Sequence, residues 1–206
     1  MSPLHAIVDV DVAHRAGWRP ADLARAFMDG GARCLQIRAK ELPSGAFLDL
    51  CDTIAGTAAP YDAAVIVNDR PDLAAMSRAA GVHVGQDDLP PSRVRKLLGG
   101  DAVVGLSTHT PAQVEAALRE QITYLAVGPV FATRTKDTGY QAVGLEFVSA
   151  VVRMAGSVPV VAIGGITLEN APSVIAAGAA AVAVIGDLLT SPDVRGRTRA
   201  YLQALV

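Results

Sequence analysis

The stretch AAVIVNDRPDLAAMSRAAGVHVGQDD (63–88) decides the fold. It opens on a β-rich apolar run, Ala63–Val67, which ends in Asn68-Asp69. Pro71 follows Arg70, where a missing N–H costs a new helix little. A helical pattern covers Pro71–Ala79, and after Gly81 a second apolar run, Val82–Val84, ends in Gly85-Gln86-Asp87-Asp88. Near-continuously apolar strands separated by a helix belong to a parallel sheet buried on both faces.

The pattern extends in both directions. Upstream, Arg33–Ile37 runs into Arg38 and Lys40, so three successive strands end in charge, one basic cluster followed by two acidic ones. Further strands read as Leu4–Val8, Ala102–Leu106, Thr123–Val127, Val158–Ile163 and Ala180–Ile185. Helical patterns cover Ala21–Met28, Ser44–Ala55, Pro91–Leu98, Pro111–Arg119, Leu145–Met154, Leu168–Ala177 and roughly Pro192–Leu205. Gly30-Gly31, Gly81, Gly99-Gly100 and Gly178 fall just past helix ends, where a left-handed residue is expected. Eight consecutive strand–helix units with no linker predict a single-domain (β/α)8 TIM barrel over residues 1–206. A doubly wound open sheet is the alternative, but it lacks a strand-to-helix G-x-G-x-x-G.

The bulk numbers bound the function. The 206 residues are 51% hydrophobic and 18% charged with a formal net charge of -2, which describes a soluble protein with ample core and no bias toward nucleic acid. Aromatic residues make up 4%, too few for base-stacking platforms. The N-terminus has no signal-peptide pattern, and the longest apolar stretch, near Val174–Ile185, is broken by Gly178 and too short to span a bilayer. Cys34 and Cys51 read as buried small hydrophobes. A cytoplasmic protein with no membrane or nucleic-acid partner is expected.

In such barrels the loops after the strands build the active site. Asp69 and Asp88 end adjacent strands; two close carboxylates repel unless a cation or proton separates them, and magnesium favours carboxylates plus phosphate oxygens. The alternative has Asp69 paired with Arg70, and Asp87-Asp88 capping a helix that begins near Pro90. Strand alternation puts Gln36, Arg38 and Lys40 on one face toward the mouth, suited to gripping an anion; ordinary pairing with Asp69 or Glu41 is the alternative. Ser107, Thr108 and His109 end the fifth strand, where hydroxyls can donate to phosphate. His109 alone reads more simply as a structural hydrogen-bonder, and His83, between two valines, as a satisfied core or sheet residue. The long polar loop from Gly128 to Tyr140 interleaves hydroxyls and cations. Gly164-Gly165 and Gly186-Asp187, after the last two strands, match the usual barrel phosphate site.

Six segments in register resemble thiamine-phosphate synthase: Gln36-Ile37-Arg38-Ala39-Lys40, Asn68-Asp69, Gly81–Asp88, Gly105-Leu106-Ser107-Thr108-His109, Thr133-Arg134-Thr135-Lys136 and Ala162-Ile163-Gly164-Gly165-Ile166. The resemblance covers nearly the whole chain. It implies a barrel that joins hydroxymethylpyrimidine diphosphate to thiazole phosphate and releases diphosphate. Carried over by position, Asp69 and Asp88 would hold one Mg2+ per subunit. Gln36, Arg38, Lys40, Asn68, Ser107 and Lys136 would contact the pyrimidine diphosphate, with Arg38, Lys40, Ser107 and Lys136 as the catalytic set. Thr133, Thr135, Gly165 and the Ile185-Gly186 backbone would hold the thiazole phosphate. At Gly186 the family commonly has serine, and Arg134 adds positive charge between the two threonines. The resemblance leaves a homo-oligomer open.

It further implies that diphosphate leaves against magnesium, Arg38, Lys40 and Lys136, and that the thiazole nitrogen attacks the resulting pyrimidinylmethyl cation. Closure of the Ala132–Tyr140 loop would exclude water. Two rivals remain. A thiazole tautomerase has the same barrel but a histidine where Pro129 stands, and a thiamine phosphate sensor would need no leaving-group residues.

Overall fold

Strands that are apolar on both faces need a strand on each side and a layer of helices outside. The computed structural model, which describes residues 1–132 and 139–206, has this arrangement. The strands are β1 (Leu4–Asp9), β2 (Cys34–Arg38), β3 (Ala64–Asn68), β4 (Gly81–Val84), β5 (Val103–Thr108), β6 (Tyr124–Val127), β7 (Val160–Ile163) and β8 (Ala181–Val184). They pair in parallel in chain order, and β8 returns to β1 through Leu4↔Val182 and Ala6↔Val184, closing the barrel. Each expected strand is present, displaced by at most two residues at either end.

Outside lie α1 (Val10–Arg15), α2 (Pro20–Asp29), α3 (Ser44–Ala58), α4 (Pro71–Met76), α5 (Pro91–Leu98), α6 (Pro111–Ala117), α7 (Gly144–Ala155), α8 (Ala171–Ala176) and α9 (Val194–Ala204). Short 3-10 turns occupy Ala59–Tyr61 and Gly186–Leu189. Burial holds this layer on. Phe27 of α2 and Phe47 of α3 are buried with Leu4, Leu35 and Ile37 of the strands, and each such side chain contributes roughly 1.5–3 kcal/mol. The Thr110 cap of α6 and the Asp193 cap of α9 each add about 1 kcal/mol. Packing therefore outweighs capping.

One helix lies outside the expected set, and one expectation about a helix end changes. Helix α1 is not visible in the apolar pattern, because Val10 and Val12 extend the alternation at the end of β1. Gly81 does not follow a helix end: it opens β4, and a Cβ there would lie 1.9 Å from the Val103 carbonyl oxygen. Gly31, Gly99 and Gly178 do take positive φ after helices, as expected.

The barrel interior has its own small apolar set, with Ile7, Tyr124, Ala126, Val161, Ala181 and Ala183 in contact. The small residues make room for larger polar ones. Among these, His5 packs edge-on against Tyr124 with ring centroids 5.3 Å apart.

Candidate active site

Two adjoining cavities open at the C-terminal rim of the strands. One, of about 270 Å3, is lined by Gln36, Arg38, Lys40, Asn68, Asp69 and Asp88. The other, of about 300 Å3, is lined by Gly128, Pro129, Gly164, Gly165, Ile185 and Gly186. Ser107, His109, Ile163 and Ile185 line both. The charged strand ends and the glycine loops thus meet at one shared wall.

On the charged side, the parallel register sets Asp9 directly beside Arg38. The Asp9 carboxylate is buried and accepts from Arg38 Nη1 through Oδ2, and from the Val12 N–H through Oδ1 at 3.0 Å. Sequence reasoning missed Asp9. An aspartate followed by an acidic first turn and a basic last turn was the available capping signal. Arg38 is therefore paired, with Asp9 rather than with Asp69 or Glu41.

At the end of β3, Asp69 takes φ 64°, a left-handed conformation uncommon for a residue with a side chain. Its N–H donates to the His83 carbonyl at 2.8 Å, so the chain turns sharply where β3 and β4 end together. Strained backbone of this kind clusters at functional sites. The Lys40 ammonium donates to Asp69 Oδ2. Arg70 does not pair with Asp69; it forks onto Asp72, with Nε to Oδ1 at 2.8 Å and Nη2 to Oδ2 at 2.5 Å. Nor does Asp88 cap α5, whose N-terminus has no side-chain cap; Asp88 Oδ2 accepts from the Gly85 N–H at 2.7 Å.

Burial pushes the Asp88 carboxyl above the ordinary carboxylate range, and the neighbouring Asp69 carboxyl adds to the rise against the lowering effect of the Gly85 N–H. Two oxygen-donor groups that penalise each other's charge suit a hard divalent cation. Among the described residues no group of three or more His, Cys, Asp or Glu gathers as a metal site. Magnesium takes one or two carboxylates and completes its shell with water and phosphate oxygens.

At the shared wall a hydrogen-bonded series runs up the barrel. The Tyr124 hydroxyl lies 2.9 Å from His83 Nδ1, and His83 Nε2 lies 2.8 Å from Ser107 Oγ. His83 is thus both satisfied, as expected, and part of the cavity lining. Gly105 makes the series fit: a Cβ there would lie 2.1 Å from Tyr124 Cζ and 2.6 Å from His83 Nδ1. Burial raises the Tyr124 hydroxyl well above its usual range, so it stays protonated. Nearby, Gln86 Nε2 donates to the Ser107 carbonyl at 2.6 Å. His109 Nδ1 sits 2.5 Å from the Gly128 carbonyl, and its ring stacks on Tyr140 at 4.0 Å.

On the glycine side, Gly164 and Gly165 both have positive φ. A Cβ on Gly165 would come within 2.6 Å of the Ala132 carbonyl oxygen. The Gly186–Leu189 turn follows β8 after Ile185, with Gly186 at its start. Asp187 is committed elsewhere: its Oδ2 accepts from the Leu168 N–H at 3.1 Å, Arg197 Nη2 at 2.7 Å and the Tyr201 hydroxyl at 2.5 Å. Its negative charge is thus compensated by Arg197 beside a cavity suited to an anion. Thr133, Arg134, Thr135 and Lys136 lie outside the described residues.

Residues 5–188 match the thiamine monophosphate synthase family. The chain belongs to that family. A thiamine-phosphate synthase of Pelotomaculum thermopropionicum is 36% identical over 98% of this chain and 95% of its own length. One of Koribacter versatilis is 42% identical with the same coverage. Among solved structures, a thiamine phosphate pyrophosphorylase from Pyrococcus furiosus superposes with a TM-score of 0.89 at 28% identity, covering 99% of this chain and 95% of that one. The likeness spans both cavities, since the matched residues run from β1 to the Gly186–Leu189 turn. Among the described residues no helix is long and apolar enough to cross a membrane.

Proposed function

We propose that this chain is a thiamine-phosphate synthase, a transferase that condenses 4-amino-5-hydroxymethyl-2-methylpyrimidine diphosphate with 4-methyl-5-(2-hydroxyethyl)thiazole phosphate. The products are thiamine phosphate and diphosphate. The observation that carries the proposal is the pair of adjoining cavities, one rich in charge and one in glycine, in a chain of this family.

In this reading the pyrimidine diphosphate occupies the charged cavity, contacting Gln36, Arg38, Lys40, Asn68 and Ser107. Lys136 joins them from outside the described residues. The thiazole phosphate occupies the other cavity, on the backbone of Gly165 and Ile185-Gly186, with Thr133 and Thr135 from outside the described residues. Asp69 and Asp88 would hold one Mg2+, which when bound supplies neutralisation of the diphosphate's charge.

The C–O bond to diphosphate breaks with its electron pair on the leaving oxygen, where Arg38 and Lys40 stabilise the developing charge. The aminopyrimidine delocalises the positive charge left on its methylene carbon. The thiazole nitrogen then supplies its lone pair to that carbon, and no proton need move. Holding both substrates at one wall turns a bimolecular encounter into a positioned one.

The test is a coupling assay for thiamine phosphate with both substrates, with magnesium and with a chelator. Formation with magnesium and its loss with chelator are expected. Absence of product with both substrates and magnesium would overturn the proposal.

A further inference from the structure

We propose that Asp9 is a positioning residue for the leaving group: it fixes the Arg38 guanidinium in the orientation that meets the diphosphate. This deepens, and rests on, the synthase reading above.

Register brings the two groups together. Asp9 and Arg38 are direct partners on neighbouring parallel strands, so their side chains leave the sheet on the same face about 4.8 Å apart. Asp9 is also the residue at which β1 becomes α1. Its Oδ1 takes the Val12 N–H and its Oδ2 takes Arg38 Nη1. Both oxygens are committed, one to a helix terminus that cannot move without α1. The carboxylate is therefore a fixed anchor, only 4% exposed.

The arginine depends on that anchor. Arg38 has five N–H donors, and among the described residues Asp9 is the only side chain hydrogen-bonded to it. Its Nε is buried without a partner. A buried donor left unpaired is costly, so the observed orientation is not one the guanidinium would choose by itself. The Asp9 contact holds it there, at the wall of the charged cavity.

A purely electrostatic role gives the opposite sign. Removing a buried negative charge beside a diphosphate site would by itself strengthen anion binding. Loss of orientation weakens it. The sign of the effect separates the two.

The experiment uses Asp9→Asn and Asp9→Ser, because asparagine and serine cap helices about as well as aspartate. Neither keeps the charge that grips the guanidinium. Binding of inorganic diphosphate with magnesium is measured by calorimetry, alongside thermal unfolding and steady-state constants for both substrates. Both variants should still fold, at an unfolding temperature lowered by the loss of Arg38's buried partner, and bind diphosphate roughly tenfold more weakly, the scale of one charge-assisted hydrogen bond. KM for thiazole phosphate should not move. In an Arg38→Ala background Asp9→Asn should add nothing, because its effect passes through the arginine.

Unchanged or tighter diphosphate binding, full additivity with Arg38→Ala, or loss of folding in both variants overturns the proposal. A wild-type protein that binds diphosphate but forms no thiamine phosphate overturns the synthase reading instead, and the binding arm still decides the role of Asp9.

Discussion

His83 Nε2 lies 2.8 Å from Ser107 Oγ, while the other ring nitrogen is 2.9 Å from the Tyr124 hydroxyl. A hydroxyl at the wall between two cavities is thereby aligned from the middle of the barrel. Tyr124→Phe keeps the ring and removes the far end of this series. It removes the hydrogen bond to His83 Nδ1, at a cost of about 1 kcal/mol in stability. Turnover should fall by about three- to tenfold, against a larger fall for Ser107→Ala. Equal turnover of Tyr124→Phe and wild type, measured at saturating substrates, would show that the alignment has no kinetic consequence.

Asp69→Asn and Asp88→Asn should each reduce turnover by about a hundredfold, the scale seen when one group stabilising transition-state charge is removed. The magnesium concentration for half-maximal rate should rise with it. Lys136→Ala should lower turnover without moving that concentration. A magnesium titration of all three variants is the check, and near-normal rates for Asp69→Asn would sink the assignment of the acidic pair.

Gly105→Ala introduces a methyl group into space already held by Tyr124 and His83. Overpacking of this kind costs typically about 1–3 kcal/mol, and here the displaced atoms belong to the series that reaches Ser107. A lowered urea midpoint together with lowered turnover is expected. A variant as stable as wild type would mean that the interior is looser than the contacts indicate.

Burial pulls His5 down to about 4 from its ordinary 6.5, and its Nε2 has no partner among the described residues. The unfolded chain takes up this proton below 6.5, whereas the folded chain does so only below about 4. The histidine therefore contributes full stability above pH 6.5 and loses it as pH falls toward 4. The loss is roughly 2–3 kcal/mol between pH 7 and 4.5. Urea unfolding of wild type and His5→Leu at both pH values should show a shallower loss in the variant. Parallel slopes would assign the acid sensitivity to other groups.

The strands were legible because each is apolar on both faces, a pattern that needs no knowledge of its partners. Helix α1 was not, since Val10 and Val12 extend the alternation of β1 and only the Asp9 cap marks the change. Pairings were less legible than positions. Asp69 and Arg70 are adjacent in sequence, yet Asp69 meets Lys40 and Arg70 meets Asp72. The Asp9–Arg38 pair spans 29 residues and exists only because the barrel register brings the two strand ends level. Tyr124 escaped notice for the same reason: its hydroxyl matters through His83, two strands away.

The β8–β1 seam has a consequence for how this protein comes into being. Its charged cavity draws on strands made early in synthesis and its glycine cavity on strands made late, and the shared wall is complete only when the final strand docks onto the first. Pairing between opposite ends of a chain is entropically expensive and therefore slow. A chain that has assembled its acidic and basic strand ends still lacks the glycine loops of the second cavity. Both cavities therefore stand side by side only once the two ends of the chain are paired.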